Sequence, residues 1–453
     1  MTVSTLGPIS PADVHAILRR RTLADGYDLV LDFERSHGAW LHDSRSGREY
    51  LDFCMFFASN PIGYNHPKMQ DPEFLTVLHR VAQLKPSLSD FYSVEYAAFV
   101  DAFERHAMPE HMRYAFFIEG GALGVENALK TAFDWKVRRN LAKGIPGQKG
   151  QQVIHFRQAF HGRSGYTLSL TNTDPHKTDR FPKFDWPRID VPAVTFPLGE
   201  HLEEVVSAER RALRQAEAAF AEHPDDIACF IAEPIQAEGG DNHMRPEFLQ
   251  AMQRLCRDND ALFVLDEVQT GVGLTGTPWA YQQLGLEPDV VAFGKKVQLG
   301  GIMAGRRVDE VPDNVFTVSS RINSTWGGGL ADMVRSRRLL EIIERDRLFD
   351  QVADTGAWFL GELQELGSRF PGLVSNARGR GLMCAFDLPD TAERDKALAI
   401  LREQEKILLL PCGPRSIRFR PALTITTEEL STGLKGLDRG LSRLAGDGAA
   451  PAS

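Results

Sequence analysis

Two runs of apolar, β-prone residues, 262–265 and Val290–Phe293, set the strongest limit on how this chain folds. Neither run alternates with polar residues. Each is therefore predicted to be a strand buried on both faces, as in a parallel sheet. Such sheets present their chemistry just beyond the carboxyl ends of their strands. The first run ends on Asp266 and the second in Gly294-Lys295-Lys296. The pattern thus predicts a carboxylate and an amine together at one edge of a sheet.

That pair suits pyridoxal phosphate, which needs a lysine for a Schiff base and an acid against its pyridinium nitrogen. The residues alone leave other readings open. In one, Asp266 caps a turn and both lysines are solvated. In another, 262–265 with Asp266-Glu267 imitates the magnesium-holding strand end of nucleoside triphosphatases. That reading needs a G-x-x-x-x-G-K-[ST] loop, and Gly271 with Gly276-Thr277 has the glycine spacing without the lysine. Gly271-Val272-Gly273-Leu274-Thr275-Gly276 also spells the dinucleotide pattern G-x-G-x-x-G. Residues 266–270 separate it from its strand, however, and Asp289 opens the next run instead of closing it.

At 453 residues the chain has room for two or three lobes. A net charge of −9 and the lack of a long basic run speak against a nucleic-acid partner. Five scattered cysteines without a C-x-x-C pair read as buried thiols in a reducing cytoplasm. No apolar run approaches roughly 18 residues and no apolar signal segment opens the chain, so neither membrane spanning nor secretion is expected.

Ser10-Pro11 starts a short helix, and residues 27–53 alternate as a small sheet does. From about residue 95 strands and helices alternate. Strand 115–118 runs into Gly120-Gly121-Ala122, which opens a helix with Val125, Ala128, Leu129, Ala132 and Phe133 on one stripe. Glu126 with Lys130 and Asp134 with Arg138 are predicted i,i+4 pairs on its other face. The glycine turn offers free N–H groups as a phosphate seat. Gln152–Phe156 leads to Phe160-His161-Gly162-Arg163, residues 171–200 form a polar surface excursion, and Ile227–Ala232 leads to Glu233 and the loop through Gly240. Residues 323–329 form a second glycine-rich loop. The pattern then changes to a long helix, strands at 382–386, 407–410 and 417–419, and a last helix with a capping box, Thr426-x-x-Glu429. The Gly/Ala/Pro-rich end, 445–453, is expected to lack fixed structure. Residues 61–330 read as a large domain, with 1–60 and 331–453 making up a smaller one.

Three passages carry a resemblance: 117–123, 160–173 and 181–187. With the Asp266 and Lys295 motifs, they resemble the class III (ω-amino acid) aminotransferases of fold type I, over about residues 17–443. Within that family the likeness is to the branch that takes the terminal amine of lysine. The resemblance implies an α/β fold, with a large domain built on a mostly parallel sheet and a smaller α+β domain. It implies pyridoxal 5'-phosphate as cofactor and a homodimer whose active sites are shared across the interface. Lys295 is then the Schiff-base lysine and Asp266 the partner of the ring nitrogen. Gln269 reaches the ring hydroxyl and lies on the substrate side. Phe160, with His161 nearby, lies against the ring face, while Gly121 and Ala122 offer N–H groups to the phosphate and Thr325 reaches it from the other subunit. The family usually has a hydroxyl residue in the phosphate turn and a small residue where this chain has Leu299. Arg163 and Arg418 are the implied anion sites for substrate, with Glu238 pairing with Arg418 until the acceptor arrives. The implied reaction takes L-lysine and 2-oxoglutarate to 2-aminoadipate 6-semialdehyde and L-glutamate. Ornithine or 4-aminobutyrate as donor, or an aminomutase on the same fold, are the competing readings.

Overall fold

The computed structural model describes residues 9–447. A three-stranded sheet combines both ends of the described chain. β1 (Trp40–His42) pairs antiparallel with β2 (Glu49–Asp52), which pairs parallel with β14 (Ile407–Leu408). The alternation over 27–53 thus yields two short strands plus an isolated bridge, Leu31 to Asp43. Between β2 and the large sheet, Met55, Phe56, Phe57 and Ala58 all have positive φ, a left-handed turn without a glycine.

The large sheet uses β3 (Met112–Ile118), β4 (Gln152–Phe156), β5 (Arg188–Ile189), β6 (Ile227–Ala232), β9 (Leu262–Asp266), β10 (Val290–Phe293) and β11 (Gly300–Gly305). Its order among the described residues is β3-β11-β10-β9-β6-β4-β5. β11 runs antiparallel to both neighbours, and the other pairings are parallel. The two defining runs are buried at every position. Their alternation separates two cores. Leu262, Val264, Val290 and Ala292 face Val125, Ala128, Leu129 and Ala132 of the helix Gly121–Ala142. Phe263, Leu265, Val291 and Phe293 join Phe248, Leu249 and Met252 of the helix Pro246–Asp258. Helices on both faces of a largely parallel sheet explain why these strands have no polar side.

β7 (Ile235–Gln236) and β8 (Asn242–His243) form a small hairpin after β6. A third sheet is antiparallel, in the order β12 (Ser375–Arg380), β13 (Met383–Asp387), β16 (Ser416–Phe419), β15 (Leu410–Cys412). The expected strand 407–410 is therefore two strands in different sheets: the chain leaves β2 at Leu408 and joins β16 at Leu410. The last helix, Thr427–Asp447, has its capping box. Thr426 Oγ1 accepts from the Glu429 N–H at 3.1 Å, and Glu429 Oε2 accepts from the Thr426 N–H at 2.9 Å. This helix runs through Asp447, so structure continues into the Gly/Ala/Pro-rich end, and residues 448–453 lie outside the described residues. No described helix is long and apolar enough to cross a membrane.

Candidate active site

Register brings the two motifs together. β9 and β10 are adjacent and parallel with Asp266 opposite Ala292, so both runs end at the same edge. The Gly294-Lys295 turn begins two residues past that level. Lys295 sits at φ +48°, a left-handed conformation that is uncommon for a side-chain-bearing residue and is found where surroundings fix it. β11 then reverses the chain and sets Gly300 beside Ile118 at the end of β3. The lysine turn and the turn opening helix Gly121–Ala142 are thereby pressed together. A Cβ on Gly300 would lie 2.0 Å from the Gly120 carbonyl oxygen, and one on Gly294 would lie 3.0 Å from Gly121 Cα. Gly120 caps the helix at φ +85° with no side-chain hydrogen bond, leaving the first N–H groups open.

Asp266 is buried and oriented. Its Oδ1 accepts from the Val268 N–H at 3.0 Å, and its Oδ2 lies 2.7 Å from Nδ1 of the buried His161. Burial disfavours charge on His161, but its bond to Asp266 and that carboxylate's charge outweigh this and raise its pKa. His161 thus stands beside Asp266, at the edge of the site. Phe160, one residue earlier, is half-buried, and its N–H donates to Glu233 Oε1 at 3.1 Å. Glu233 directly follows β6, and its other oxygen accepts from the Ala237 N–H at 3.0 Å. Burial pushes the Glu233 carboxyl up to about 7, opposed by the charge on His161 and reinforced by that on Asp266.

The two lysines differ sharply. Lys296 is buried and committed, donating to the Gln269 carbonyl at 2.7 Å and the Ala58 carbonyl at 3.4 Å. Lys295 Nζ makes no hydrogen bond among the described residues and stands 6.0 Å from the Phe57 ring centroid. Burial, with Arg418 and Arg420 adding repulsion, brings its amine down to about 8. Gln269 is oriented by Arg420, whose Nε donates to its Oε1 at 3.1 Å, so the amide NH2 remains the free end. Arg420 is fixed in turn by a buried ion pair with Asp241.

Arg418, on β16, is 2% exposed. Its Nη2 donates to Glu238 Oε2 at 2.6 Å, while Nε and Nη1 have no partner among the described residues. Guanidinium N–H donors of this kind can take a carboxylate as a charge-assisted pair. Glu238 lies in the β7–β8 loop and also accepts from Lys177 Nζ at 2.7 Å. Burial opposes its charge, but Arg418 and Lys177 together hold its carboxyl below the ordinary range. Arg163 is exposed and makes no hydrogen bond or ion pair among the described residues. Thr325 is also exposed, on the loop beside Leu88, whose N–H donates to the Trp326 carbonyl at 3.3 Å. Leu299 is buried, and its Cδ1 would meet a Cβ on Gly328 of that loop at 3.2 Å.

The structure therefore pairs Asp266 with His161, Glu238 with Arg418 and Gln269 with Arg420, sets Lys295 within electrostatic reach of Asp266, Glu238, Arg418 and Arg420, and leaves Arg163 and Thr325 exposed. Sequence reasoning missed Glu233, Asp241, Arg420 and Lys177. Glu233 follows the same strand-end rule as Asp266, and Arg420 repeats the side of Arg418 at period two. Nothing in the local pattern marks Asp241 or Lys177. A low-pKa amine, an acid fixed at one edge, an open helix N-terminus and an amide donor match the aldehyde, ring nitrogen, phosphate and ring oxygen of pyridoxal phosphate. The glycines at 121, 294 and 300 let the two turns pack closely, since a Cβ there would meet Val268 Cγ1 at 2.8 Å, Gly121 Cα at 3.0 Å and the Gly120 carbonyl oxygen at 2.0 Å.

Comparison with known proteins agrees. The L-lysine-epsilon aminotransferase of Streptomyces clavuligerus is 56% identical over 443 residues, covering 98% of this chain and 97% of the relative. That of Amycolatopsis lactamdurans is 57% identical over 431 residues, covering 95% and 96%. A probable mitochondrial 4-aminobutyrate aminotransferase from Caenorhabditis elegans is more distant, at 34% over 91% of this chain and 88% of its own length. Among solved structures, the lysine aminotransferase from M. tuberculosis superposes with a TM-score of 0.94 at 55% identity, covering 96% of this chain and all of that one. The ornithine aminotransferase of Toxoplasma gondii gives 0.79 at 26%, covering 98% and 97%. The profile of the family described as aminotransferase class-III matches residues 22–441, and the chain belongs to that family.

Proposed function

We propose that this protein transfers the terminal amine of L-lysine to 2-oxoglutarate, giving L-glutamate and 2-aminoadipate 6-semialdehyde, which cyclises to 1-piperideine-6-carboxylate. The carrying observation is the Arg418–Glu238 pair beside a lysine of depressed pKa. An ω-amine donor keeps its α-carboxylate far from the reacting end and needs no second anion site close by. A five-carbon dicarboxylate acceptor needs one, and Arg418 supplies it once Glu238 withdraws. Near-full-length identity to lysine aminotransferases, well above that to the 4-aminobutyrate and ornithine enzymes, supports the choice of donor.

When bound, pyridoxal phosphate supplies an electron-withdrawing ring for the carbon that loses and regains a proton. Lys295 would be the residue that holds it, and a depressed pKa suits its amine to accept a proton at Nζ. Asp266, oriented by His161, would favour a protonated ring nitrogen. Gln269, its Oε1 held by Arg420, would offer its amide NH2 to the ring oxygen, and Phe160 would lie against one ring face. Gly121 and Ala122 would offer their N–H groups to the phosphate, and Thr325 would reach it across a dimer interface. Arg163 pairs with the distant carboxylate of the donor, a planar bidentate contact for which its free guanidinium is suited.

A homodimer is the working unit in this reading. Support comes from the exposed apolar side chains Phe91, Tyr92, Val94 and Trp326 near the Thr325 loop. Five buried free thiols suit a reducing cytoplasm. The test is a purified enzyme whose cofactor absorbance is lost on adding lysine and restored by 2-oxoglutarate, with the ring product identified by mass spectrometry. Glu238→Ala should improve glutamate as a donor relative to lysine. Preference for ornithine or 4-aminobutyrate, or turnover without 2-oxoglutarate, would overturn the assignment.

A further inference from the structure

The Glu238 carboxylate is gripped from two sides, and only one grip belongs to the gate described above. Arg418 takes Oε2 and Lys177 takes Oε1, at 2.6 and 2.7 Å. Lys177 comes from a different part of the chain, the single helical turn Pro175–Lys177 in the polar excursion. Asp174 fixes that turn by accepting the His176 N–H at 2.9 Å. The ammonium stands 5.6 Å from the centroid of the Phe160 ring. The Glu238 and Lys177 side chains are partly exposed, whereas that of Arg418 is almost fully buried.

This arrangement has an energetic direction. When Glu238 turns from Arg418, a carboxylate without Lys177 loses its remaining protein cation in a half-buried cleft, which is unfavourable. With Lys177 in place the carboxylate keeps a charge-assisted bond throughout. The ammonium also partly neutralises Glu238, weakening its hold on the guanidinium. Both effects lower the cost of freeing Arg418, and neither applies to a donor that leaves the gate shut. We propose that Lys177 is a specificity-determining residue that receives Glu238 in the open gate and so favours binding of the dicarboxylate acceptor. The inference rests on the gate reading above.

The test is calorimetric binding of glutarate, an unreactive five-carbon dicarboxylate, to the cofactor-loaded enzyme and to K177M, E238Q and the double variant. KM values for 2-oxoglutarate and lysine are measured in parallel. K177M should weaken glutarate and raise the KM for 2-oxoglutarate by about fivefold to tenfold relative to that for lysine, the scale of one partly lost charge-assisted bond. K177R should restore most of the affinity. E238Q should tighten glutarate, and in that background K177M should have no further effect. If K177M weakens glutarate equally in the E238Q background, Lys177 merely attracts anions and the proposal fails. If E238Q tightens glutarate while K177M alone changes nothing, the gate stands and the proposal for Lys177 falls. If E238Q leaves glutarate affinity unchanged, the gate itself is wrong and the proposal goes with it.

Discussion

An amine near pKa 8 at position 295 has a consequence that is measurable without substrate. At pH 7 such an amine is roughly one-tenth neutral, whereas a lysine at its ordinary 10.5 is neutral roughly once in three thousand. Lys295 should therefore present about 300 times more nucleophile than a solvated lysine. Burial is the first cause, and Arg418 is the larger of two cationic contributions. The perturbation is Arg418→Met in cofactor-free protein. Competitive acylation across pH 6–11, with tandem mass spectrometry locating label on Lys295, reads the titration directly. Wild type should inflect near 8 and the variant higher, towards 10.5. The same numbers fix a stability profile. The folded pKa is the lower one, so between 8 and 10.5 the unfolded chain binds more protons and stability rises with pH. Below 8 the penalty is fully present, about 3 kcal/mol. Lys295→Met should therefore stabilise the cofactor-free protein at pH 7 by up to that amount, with the advantage fading towards pH 10.5. A wild-type inflection near 10.5 would refute the reasoning, and one near 8 that ignores Arg418→Met would refute its electrostatic part.

Two further outcomes follow from packing. Asp241→Asn leaves the Arg420 guanidinium buried without its ion partner and should cost about 3–5 kcal/mol, read as a lower urea midpoint at unchanged slope; a loss under about 1 kcal/mol would show that Arg420 finds another partner. Gly294→Ala drives a methyl to 3.0 Å from the Gly121 backbone and should cost about 1–3 kcal/mol and speed cofactor loss on dialysis, whereas Gly361→Ala, with nothing within 4 Å of its Cβ, should do neither.

What the sequence revealed of this site follows from how far each signal travels. Asp266 and Lys295 were legible because an apolar run with no polar phase has one natural setting, and its end marks the functional edge. The glycines at 120 and 121 were legible as a helix start. Contacts made across the fold were not. Glu126 pairs by spacing with Lys130, yet it accepts from Ser164 Oγ at 3.1 Å and the Thr167 N–H at 3.2 Å, because the turn after β4 packs on that helix. The Asp134–Arg138 pair, equally local, forms at 3.0 Å. Asp241 and Arg420 are 179 positions apart, and Lys177 and Glu238 are 61, distances over which no periodicity carries information. The left-handed turn Met55–Ala58 contains no glycine, asparagine or aspartate to announce it.

The reversed strand β11 separates what is free to vary in this enzyme from what is not. By doubling back it welds the lysine-bearing bend to the bend that opens the helix Gly121–Ala142, so a residue inserted between 294 and 300 would displace both at once. Lys177, in the 174–183 excursion, instead meets Glu238 and the Phe160 ring, away from those two bends in the chain. Substitution of Lys177 is therefore expected to change acceptor binding while the bend that carries Lys295, built on the direction of a single strand, stays as it is.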